Sequence, residues 1–331
     1  MSSKKSKLLL CLLLFLAMFL LPLISLGGSP SGKQGGSGAS GETRQSSSGQ
    51  FHLLDTATNS ILTVGDADFL YGAVAAEMSP LAEPEALKAQ AVATYTYYSR
   101  LRENSGKSAS SAGKGYDFTV DTKNWQIYVP EAELRSRWST QYDDYSAKLK
   151  SAVDGVRGQV LRSGGSLIDA TYFAISSGST EASEDVWGSK YPYLVSVASP
   201  MDMFAGGYQT TAAFSEQDAK SRLLKLVPSA NLDGPASGWF GAASRSAAGG
   251  VKTIPVGGQS VDGASVRSAF GLRSANFTVA YAQQNGFTFT VKGYGHGVGM
   301  SQAGAQAMAA DGSTYRDILA WYYPTAELGT L

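Results

Sequence analysis

The chain of 331 residues carries 27 basic and 27 acidic side chains, and beyond residue 50 it is slightly acidic. This balance argues against a nucleic-acid-binding protein, because such proteins concentrate basic residues in a patch or stripe. The single cysteine, Cys11, lies in an apolar N-terminal run, so the rest of the chain offers neither disulfides nor thiol chemistry.

An uncharged apolar run from Leu8 to Leu26 follows three lysines. It is long enough to span a membrane, and the lysines precede it on the side that stays in the cytoplasm. A cleaved signal peptide is the alternative, although Ser25-Leu26-Gly27 offers no clean A-x-A site and the apolar run is longer than the apolar region of a usual signal peptide. We therefore expect residues 1–26 to be a membrane anchor or signal segment, with the C-terminal part outside the cytoplasm and secreted if the segment is cleaved.

Residues 27–50 are rich in glycine and serine and cannot bury enough apolar surface to fold, which predicts a flexible linker. Residues 51–331 are long enough for one large domain or two lobes. Their many tyrosines and tryptophans suit a carbohydrate ligand but are equally expected of a packed core.

The stretch from Leu70 to Met78 places one carboxylate, that of Glu77, among small and apolar side chains. Burial raises the pKa of a glutamate, so that it holds a proton near neutral pH and can donate it to a leaving group. Glu77 is therefore a candidate acid catalyst. The alternative is that it lies on the exposed side of a helix.

Periodicity predicts three helical regions, 84–102, 130–150 and 300–322. In the first, Leu87, Ala91, Tyr95 and Tyr98 recur at helical spacing and form one apolar face. In the last, Thr314-x-x-Asp317 predicts a capping box for a helix that ends at Tyr323-Pro324. With many short strands between the helices, we expect an α+β domain with a substrate cleft.

Turn signals organise the middle of the chain. Gly164-Gly165 has the spacing of a β-hairpin, and a polar segment from Ser176 to Glu181 follows an apolar strand. The segment Val261–Phe277 predicts a helix ending at Gly271 and leading into a strand, a structural role.

Alternate glycines from Gly293 to Gly299 allow the backbone to approach another group closely just before the last helical region. The loop lacks the G-K-[ST] ending of a phosphate-binding loop. It contains His296, and a lone histidine is more often structural than catalytic.

Several of these strings resemble the stage II sporulation protein D family, peptidoglycan lytic transglycosylases that share a domain with amidase enhancers. The matches run from about Leu53 to Ala326. The specific strings are V-A-A-E-M with E-A-L-K-A-Q-A-V-A (Val74–Ala93), S-S-G-x-T-E (Ser176–Glu181) and G-H-G-V-G-M-S-Q (Gly295–Gln302).

The resemblance implies roles for individual residues. Glu77 would be the catalytic acid, and the substrate contacts would be Gln126, Tyr128, Ser176, Ser177, Thr180, Tyr193, His296, Ser301 and Gln302. Some members bind zinc through cysteine and histidine near residues 118–128, but this chain has neither there, so we expect no metal and no cofactor. Tyr95 stands where the family usually has arginine, a departure that would weaken activity if that arginine orients the acid.

The resemblance also implies a function. A single glutamate would cleave the bond between N-acetylmuramic acid and N-acetylglucosamine in denuded strands, leaving 1,6-anhydro ends during septal thinning and engulfment in sporulation. The expected partners are peptidoglycan strands, a cell-wall amidase, a membrane partner of the engulfment machinery and, through residues 8–26, the membrane itself. The alternative is a non-catalytic, peptidoglycan-binding enhancer of an amidase. If the enzyme hydrolyses instead, Glu181 and Asp185 are the candidates for a second carboxylate.

Overall fold

The computed structural model describes residues 49–105 and 115–331. The N-terminal segment 1–26 and nearly all of the linker 27–50 lie outside the described residues. No helix within the described ranges is both long and apolar enough to cross a membrane.

Short strands and helices are interspersed along the chain, which confirms the α+β prediction. The helices are α1 (Asp66–Glu77), α2 (Pro84–Ser105), α3 (Glu131–Trp138), α4 (Tyr142–Asp154), α5 (Ser183–Trp187), α6 (Glu216–Leu226), α7 (Gly263–Phe270), α8 (Gln302–Ala310) and α9 (Tyr315–Tyr322). The strands are β1 (Gln50–Asp55), β2 (Ser60–Gly65), β3 (Phe118–Val120), β4 (Gln159–Ser163), β5 (Ser166–Leu167), β6 (Tyr172–Phe173), β7 (Gln209–Phe214), β8 (Ser244–Arg245), β9 (Val251–Val256), β10 (Gln259–Asp262), β11 (Phe277–Ala282), β12 (Gly286–Lys292), β13 (Met300–Ser301) and β14 (Glu327–Thr330).

The described residues form two hydrophobic cores. The larger core takes its residues from two parts of the chain, Phe51 to Leu194 and Val298 to Tyr323, and we call this part the body. The second core takes its residues from Ala219 to Val291, and we call this part the second lobe. The second lobe is thus an insertion within the sequence of the body.

Helices α1 and α2 form the centre of the body. Helix α1 is buried along most of its length, from Phe69 to Ala75, as expected for a helix that is apolar on all sides. It ends at Glu77, where Met78 adopts an extended conformation ahead of Ser79-Pro80. Small sheets with the strand orders β2-β1-β3 and β14-β4-β5 pack around this pair.

The second lobe is built on two antiparallel sheets, with strand orders β11-β12-β7 and β10-β9-β8. Helix α7 ends at Phe270 and Gly271 follows with a φ of 63°, so the predicted helix end is confirmed. Phenylalanines fill the lobe, and the rings of Phe270 and Phe289 have centroids 4.7 Å apart. Sequence reasoning gave little information on residues 201–250, which contribute to this lobe.

Two of the predicted helical regions are broken. The region 130–150 contains α3 and α4, separated at Ser139 by a residue with a φ of 48°. The region 300–322 contains α8 and α9, and the predicted capping box of Thr314 and Asp317 opens the second of these. The hairpin at Gly164-Gly165 is present, but its second strand contains only Ser166–Leu167.

Candidate active site

Glu77 is the last residue of α1 and is partly buried. The preceding turns of α1 are packed in the body core, so the carboxyl group is held where the buried helix reaches the surface. Burial raises the pKa of Glu77 to about 7, and a contact from Gln302 acts weakly in the opposite direction. Glu77 can therefore hold a proton near neutral pH, which is the state that an acid catalyst needs.

An amide group faces this carboxyl group from the start of α8. The Nε2 atom of Gln302 lies 3.5 Å from Oε2 of Glu77 and 3.4 Å from its backbone carbonyl oxygen. The same atom lies 3.3 Å from Oε1 of Gln90 on α2, and Gln90 donates in turn to Thr94 at 3.0 Å. Gln302 is neutral, so it contacts Glu77 without supplying a charge that would lower its pKa strongly.

The phenol groups of Tyr98 and Tyr172 lie close enough to Glu77 for its charge to raise their pKa values. The side chains of Tyr98 and Tyr172 hydrogen-bond each other, and Tyr172 also hydrogen-bonds Thr94. Burial, and secondly the carboxylate of Glu77, hold the pKa of both tyrosines well above the usual value. Both are therefore neutral hydrogen-bonding groups at physiological pH, and sequence reasoning assigned a role to neither.

The glycine-rich loop brings His296 to the same region. Glycine is required at Gly299, because its φ is 83° and a Cβ atom there would lie 2.0 Å from the carbonyl oxygen of Thr171. Directly after it, β13 pairs in parallel with β6, which contains Tyr172. Tyr172 thus connects the two segments, since the charge of Glu77 acts on its phenol group and its backbone hydrogen-bonds His296.

The imidazole of His296 is neutral at physiological pH. Burial, and secondly the positive charge of Arg267, lower its pKa to about 4. The backbone N–H of Val298 donates to Nδ1 at 3.1 Å, which leaves the ring proton on Nε2. The ring packs against Phe173 and Trp187, with centroid distances of 5.6 and 5.3 Å. His296 can therefore donate a hydrogen bond but does not act as a cation here.

A buried carboxylate that sequence reasoning missed, Asp202, connects three segments around the site. It is fully buried and accepts hydrogen bonds from the backbone N–H of Ser176 at 2.6 Å, from Ser301 at 2.5 Å and from Ser199 at 2.9 Å. Ser301 also accepts from the N–H of Gly304 and so caps α8. Asp202 thereby fixes the start of the helix whose first residue is Gln302.

The hydroxyl groups of the polar segment have partners within the protein. Ser176, Thr180 and Ser301 are 2%, 0% and 0% exposed, so they are closed to a ligand in this conformation. Thr180 donates to the carbonyl oxygen of Val195 at 3.2 Å, and partly buried Ser177 donates to that of Ala248 at 3.1 Å. These hydroxyls thus have hydrogen-bond partners within the protein, and the substrate contacts expected from the resemblance stay a prediction.

The remaining predicted contacts lie elsewhere. Gln126 is exposed, while the ring of Tyr128 stacks on Phe69 at a centroid distance of 5.9 Å. Tyr128 lines a surface groove of about 400 Å³ together with residues from the start of α1, and Glu77 is not part of that lining. Tyr193 is buried, and its hydroxyl accepts from the N–H of Asp169 at 3.4 Å.

The two alternative carboxylates are both engaged. Asp185 forms an ion pair with Lys252 at 2.6 Å. Glu181 is 8% exposed and accepts from the N–H of Gly250 at 3.0 Å. Burial raises the pKa of Glu181. Its carboxyl group contacts the second lobe through Gly250, while its backbone N–H donates to the carbonyl oxygen of Gly297 in the glycine-rich loop at 2.7 Å.

Tyr95 lies at the opposite end of α1 from Glu77. Its hydroxyl donates to Asp66 at 2.7 Å, and Arg102 donates to the other oxygen of Asp66 at 2.8 Å. Asp66 and Glu77 are the first and last of the 12 residues of α1, which places them roughly 16 Å apart at the α-helical rise. Tyr95 therefore does not orient the acid directly, and an arginine is present beside Asp66 from a position two turns later on α2.

Comparisons with known proteins agree with the motifs. The family model for Stage II sporulation protein matches residues 55–162. The chain is 36% identical over 289 residues to stage II sporulation protein D of Bacillus subtilis (strain 168), covering 87% of this chain and 81% of that protein. It is 35% identical over 275 residues to the protein of the same name from Bacillus amyloliquefaciens, covering 82% and 76%. It is also 28% identical over 310 residues to the amidase enhancer of Bacillus subtilis (strain 168), covering 78% of this chain and 40% of that protein.

Proposed function

The chain belongs to the stage II sporulation protein D family, and from this premise we propose that it is a peptidoglycan lytic transglycosylase with Glu77 as its acid. The observation that carries the proposal is the carboxyl group at the end of a buried helix, with a pKa raised to about 7. The setting that we propose is the outer face of the membrane, anchored through residues 8–26, during sporulation.

The reaction requires one group that first gives and then takes a proton. Protonated Glu77 would donate to the glycosidic oxygen between N-acetylmuramic acid and N-acetylglucosamine as the C1–O bond breaks. The resulting carboxylate would accept the proton of the C6 hydroxyl of the N-acetylmuramic acid as that oxygen bonds to C1 of the same sugar, closing a 1,6-anhydro ring. No water is consumed, and Glu77 ends in its starting state.

The neighbours of Glu77 suit both halves of this cycle. The amide of Gln302 interacts more favourably with the carboxylate than with the acid, so it would stabilise the enzyme after proton donation. The phenols of Tyr98 and Tyr172 are neutral donors that can hydrogen-bond the sugar or the carboxylate. Such preorganised donors stabilise charge that develops in the transition state.

The engaged state of the other carboxylates supports a one-carboxylate mechanism. A hydrolase would need a second carboxyl group at roughly 5 to 5.5 Å if retaining, or 6.5 to 9.5 Å if inverting. Glu181 instead accepts a hydrogen bond from the N–H of Gly250, and Asp185 forms an ion pair with Lys252.

Mass spectrometry of denuded glycan strands incubated with the full chain tests the proposal. We expect 1,6-anhydro ends from the wild type and none from Glu77→Gln, with Glu83→Gln as the matched control, since Glu83 is exposed six residues later. Circular dichroism melting would establish that each variant is folded. Turnover retained by folded Glu77→Gln would refute the role of Glu77, and reducing ends in place of anhydro ends would mean hydrolysis and direct attention to Glu181.

A second function is favoured by the similarity to the amidase enhancer. In that case the protein would bind peptidoglycan and stimulate an amidase without cleaving the glycan. Amidase stimulation that is equal for the wild type and Glu77→Gln, together with intact strands from both, would support this function over the transglycosylase.

A further inference from the structure

Two arginines of the second lobe lie beside the glycine-rich loop that carries His296. The carbonyl oxygen of Arg273 accepts from the N–H of Gly295 at 3.0 Å, and its guanidinium carbon lies 4.1 Å from the ring centre of Tyr294. Arg267, on α7, donates through Nε to the carbonyl oxygen of Leu272 at 3.2 Å. Both side chains are only partly exposed, so the fold holds them against the loop.

Within the described ranges, neither arginine has a carboxylate partner, since every ion pair there is formed by other residues. The Nε atom of Arg273 is buried and has no hydrogen-bond partner among these residues. Proteins normally pair a guanidinium that is withdrawn from water, because an uncompensated charge is costly. Burial accordingly lowers the pKa of both Arg267 and Arg273.

The turn at Gly207 shows that the place of Arg273 is built into the fold. A Cβ atom at Gly207 would lie 2.5 Å from Nη1 of Arg273, and the φ of Gly207 is 79°. Any other residue would thus be strained in this turn and would also push the guanidinium aside. The turn at Gly207 therefore leaves space for the guanidinium of Arg273, which has no carboxylate partner among the described residues.

The two arginines are also connected to the candidate active site. The positive charge of Arg267 lowers the pKa of His296, and the backbone of Tyr172 hydrogen-bonds His296. The charge of Glu77 in turn raises the pKa of the Tyr172 phenol. His296 and Tyr172 therefore connect the arginines to Glu77.

We propose that Arg267 and Arg273 form a subsite that binds a carboxylate carried by the glycan substrate. The planar guanidinium suits this role, because its parallel N–H groups match the two oxygens of a carboxylate. The inference rests on the proposed function, since it takes peptidoglycan as the ligand. Peptidoglycan has two sources of this group, the lactyl carboxylate of N-acetylmuramic acid, which is free once the stem peptide is removed, and the carboxylates of the stem peptide.

Calorimetry with the full chain in a Glu77→Gln background tests the subsite without consuming the ligand. The ligands are denuded strands, the same strands with lactyl carboxylates converted to methyl amides, and strands with intact stem peptides. We expect Arg267→Gln and Arg273→Gln each to weaken binding of carboxylate-bearing strands about tenfold or more, as for a lost hydrogen bond to a charged group. The control is Arg245→Gln, since Arg245 is exposed in the same lobe and donates to backbone carbonyl oxygens.

The outcomes separate the source of the carboxylate and the two proposals. If the arginine variants weaken binding of denuded strands but not of amidated strands, the bound group is the lactyl carboxylate. If they weaken binding only of strands with stem peptides, the bound group is a carboxylate of the stem peptide. Folded arginine variants that bind all three ligands like the parent would overturn the subsite. Arginine-dependent binding without anhydro ends from the protein with Glu77 intact would instead overturn the transglycosylase and leave the subsite standing.

Discussion

The amide nitrogen of Gln302 lies within 3.5 Å of both a carboxyl oxygen and the backbone carbonyl oxygen of Glu77, although 225 residues separate the two in the chain. The contact favours the charged form of Glu77, because the amide is a hydrogen-bond donor. The start of α8 therefore acts directly on the protonation of the last residue of α1.

Replacing Gln302 by leucine should raise the pKa of Glu77 above about 7 and reduce kcat/KM about tenfold, since the carboxylate loses its donor. The descending limb of the pH profile, where the acid loses its proton, should move to higher pH. Gln306→Leu is the matched control, because Gln306 is one turn later on α8 and accepts from the N–H of Glu83 at 2.7 Å. An unshifted limb in folded Gln302→Leu would show that the amide does not act on Glu77.

Glu77→Gln should change how stability depends on pH. The folded pKa of Glu77, about 7, lies above the ordinary glutamate pKa of 4.5, so the folded state binds the proton more tightly than the unfolded chain. The contribution of Glu77 to the free energy of unfolding is then greatest below pH 4.5, and it falls by at most about 3 kcal/mol as the pH rises through 7. Denaturant unfolding of the wild type and Glu77→Gln at pH 5 and pH 8 should show the variant gaining relative stability at pH 8, and an equal difference at both pH values would contradict the raised pKa.

Asp202→Asn should lower the free energy of unfolding by about 2–4 kcal/mol. The buried carboxylate accepts hydrogen bonds from three donors, whereas the NH₂ group of asparagine would place a donor against one of them. Urea unfolding measures the loss. Exposed Asp233→Asn is the control and should change stability by less than about 0.5 kcal/mol. If Asp202→Asn is as stable as the control, the network contributes little to the position of α8.

Tyr95→Phe should cost about 1 kcal/mol of stability, because its hydroxyl donates to Asp66, while glycan cleavage should stay within about twofold of wild type. Tyr95→Arg, which restores the residue usual in the family, should likewise leave cleavage nearly unchanged. Thermal melting and release of anhydro ends measure the two effects. A large gain in cleavage by Tyr95→Arg would show that this position acts on catalysis from the far end of α1.

Local sequence patterns predicted the elements that depend on local interactions. The α2 helix, the end of α7 at Gly271 and the capping box of Thr314 follow from spacing and from single-residue preferences. The burial of Glu77 also follows from its sequence, since its neighbours in α1 are apolar on every side. That Glu77 is catalytic stays a prediction.

These local patterns could not predict contacts between segments that are distant in the sequence. Asp202 is 99 residues from Ser301, and nothing in the irregular segment around Asp202 indicates burial. The polar residues Gln90 and Thr94 on the buried side of α2 are the one signal that could have pointed to partners near Glu77. Ser176 and Thr180 matched motif positions, but spacing cannot tell a hydroxyl facing a ligand from one that closes a turn.

The second lobe leaves and rejoins the body at adjacent points. Strand β7 begins at Gln209 opposite the end of β12 at Lys292, and the N–H of Gly293 donates to the carbonyl oxygen of Tyr208 at 2.7 Å. A segment whose ends are paired in this way is joined to the rest of the chain at a single place. A lobe from a relative could therefore be grafted at these two points while α1 still presents Glu77, provided that it supplies the groups that contact the body, such as Gly250 beside Glu181 and Lys252 beside Asp185.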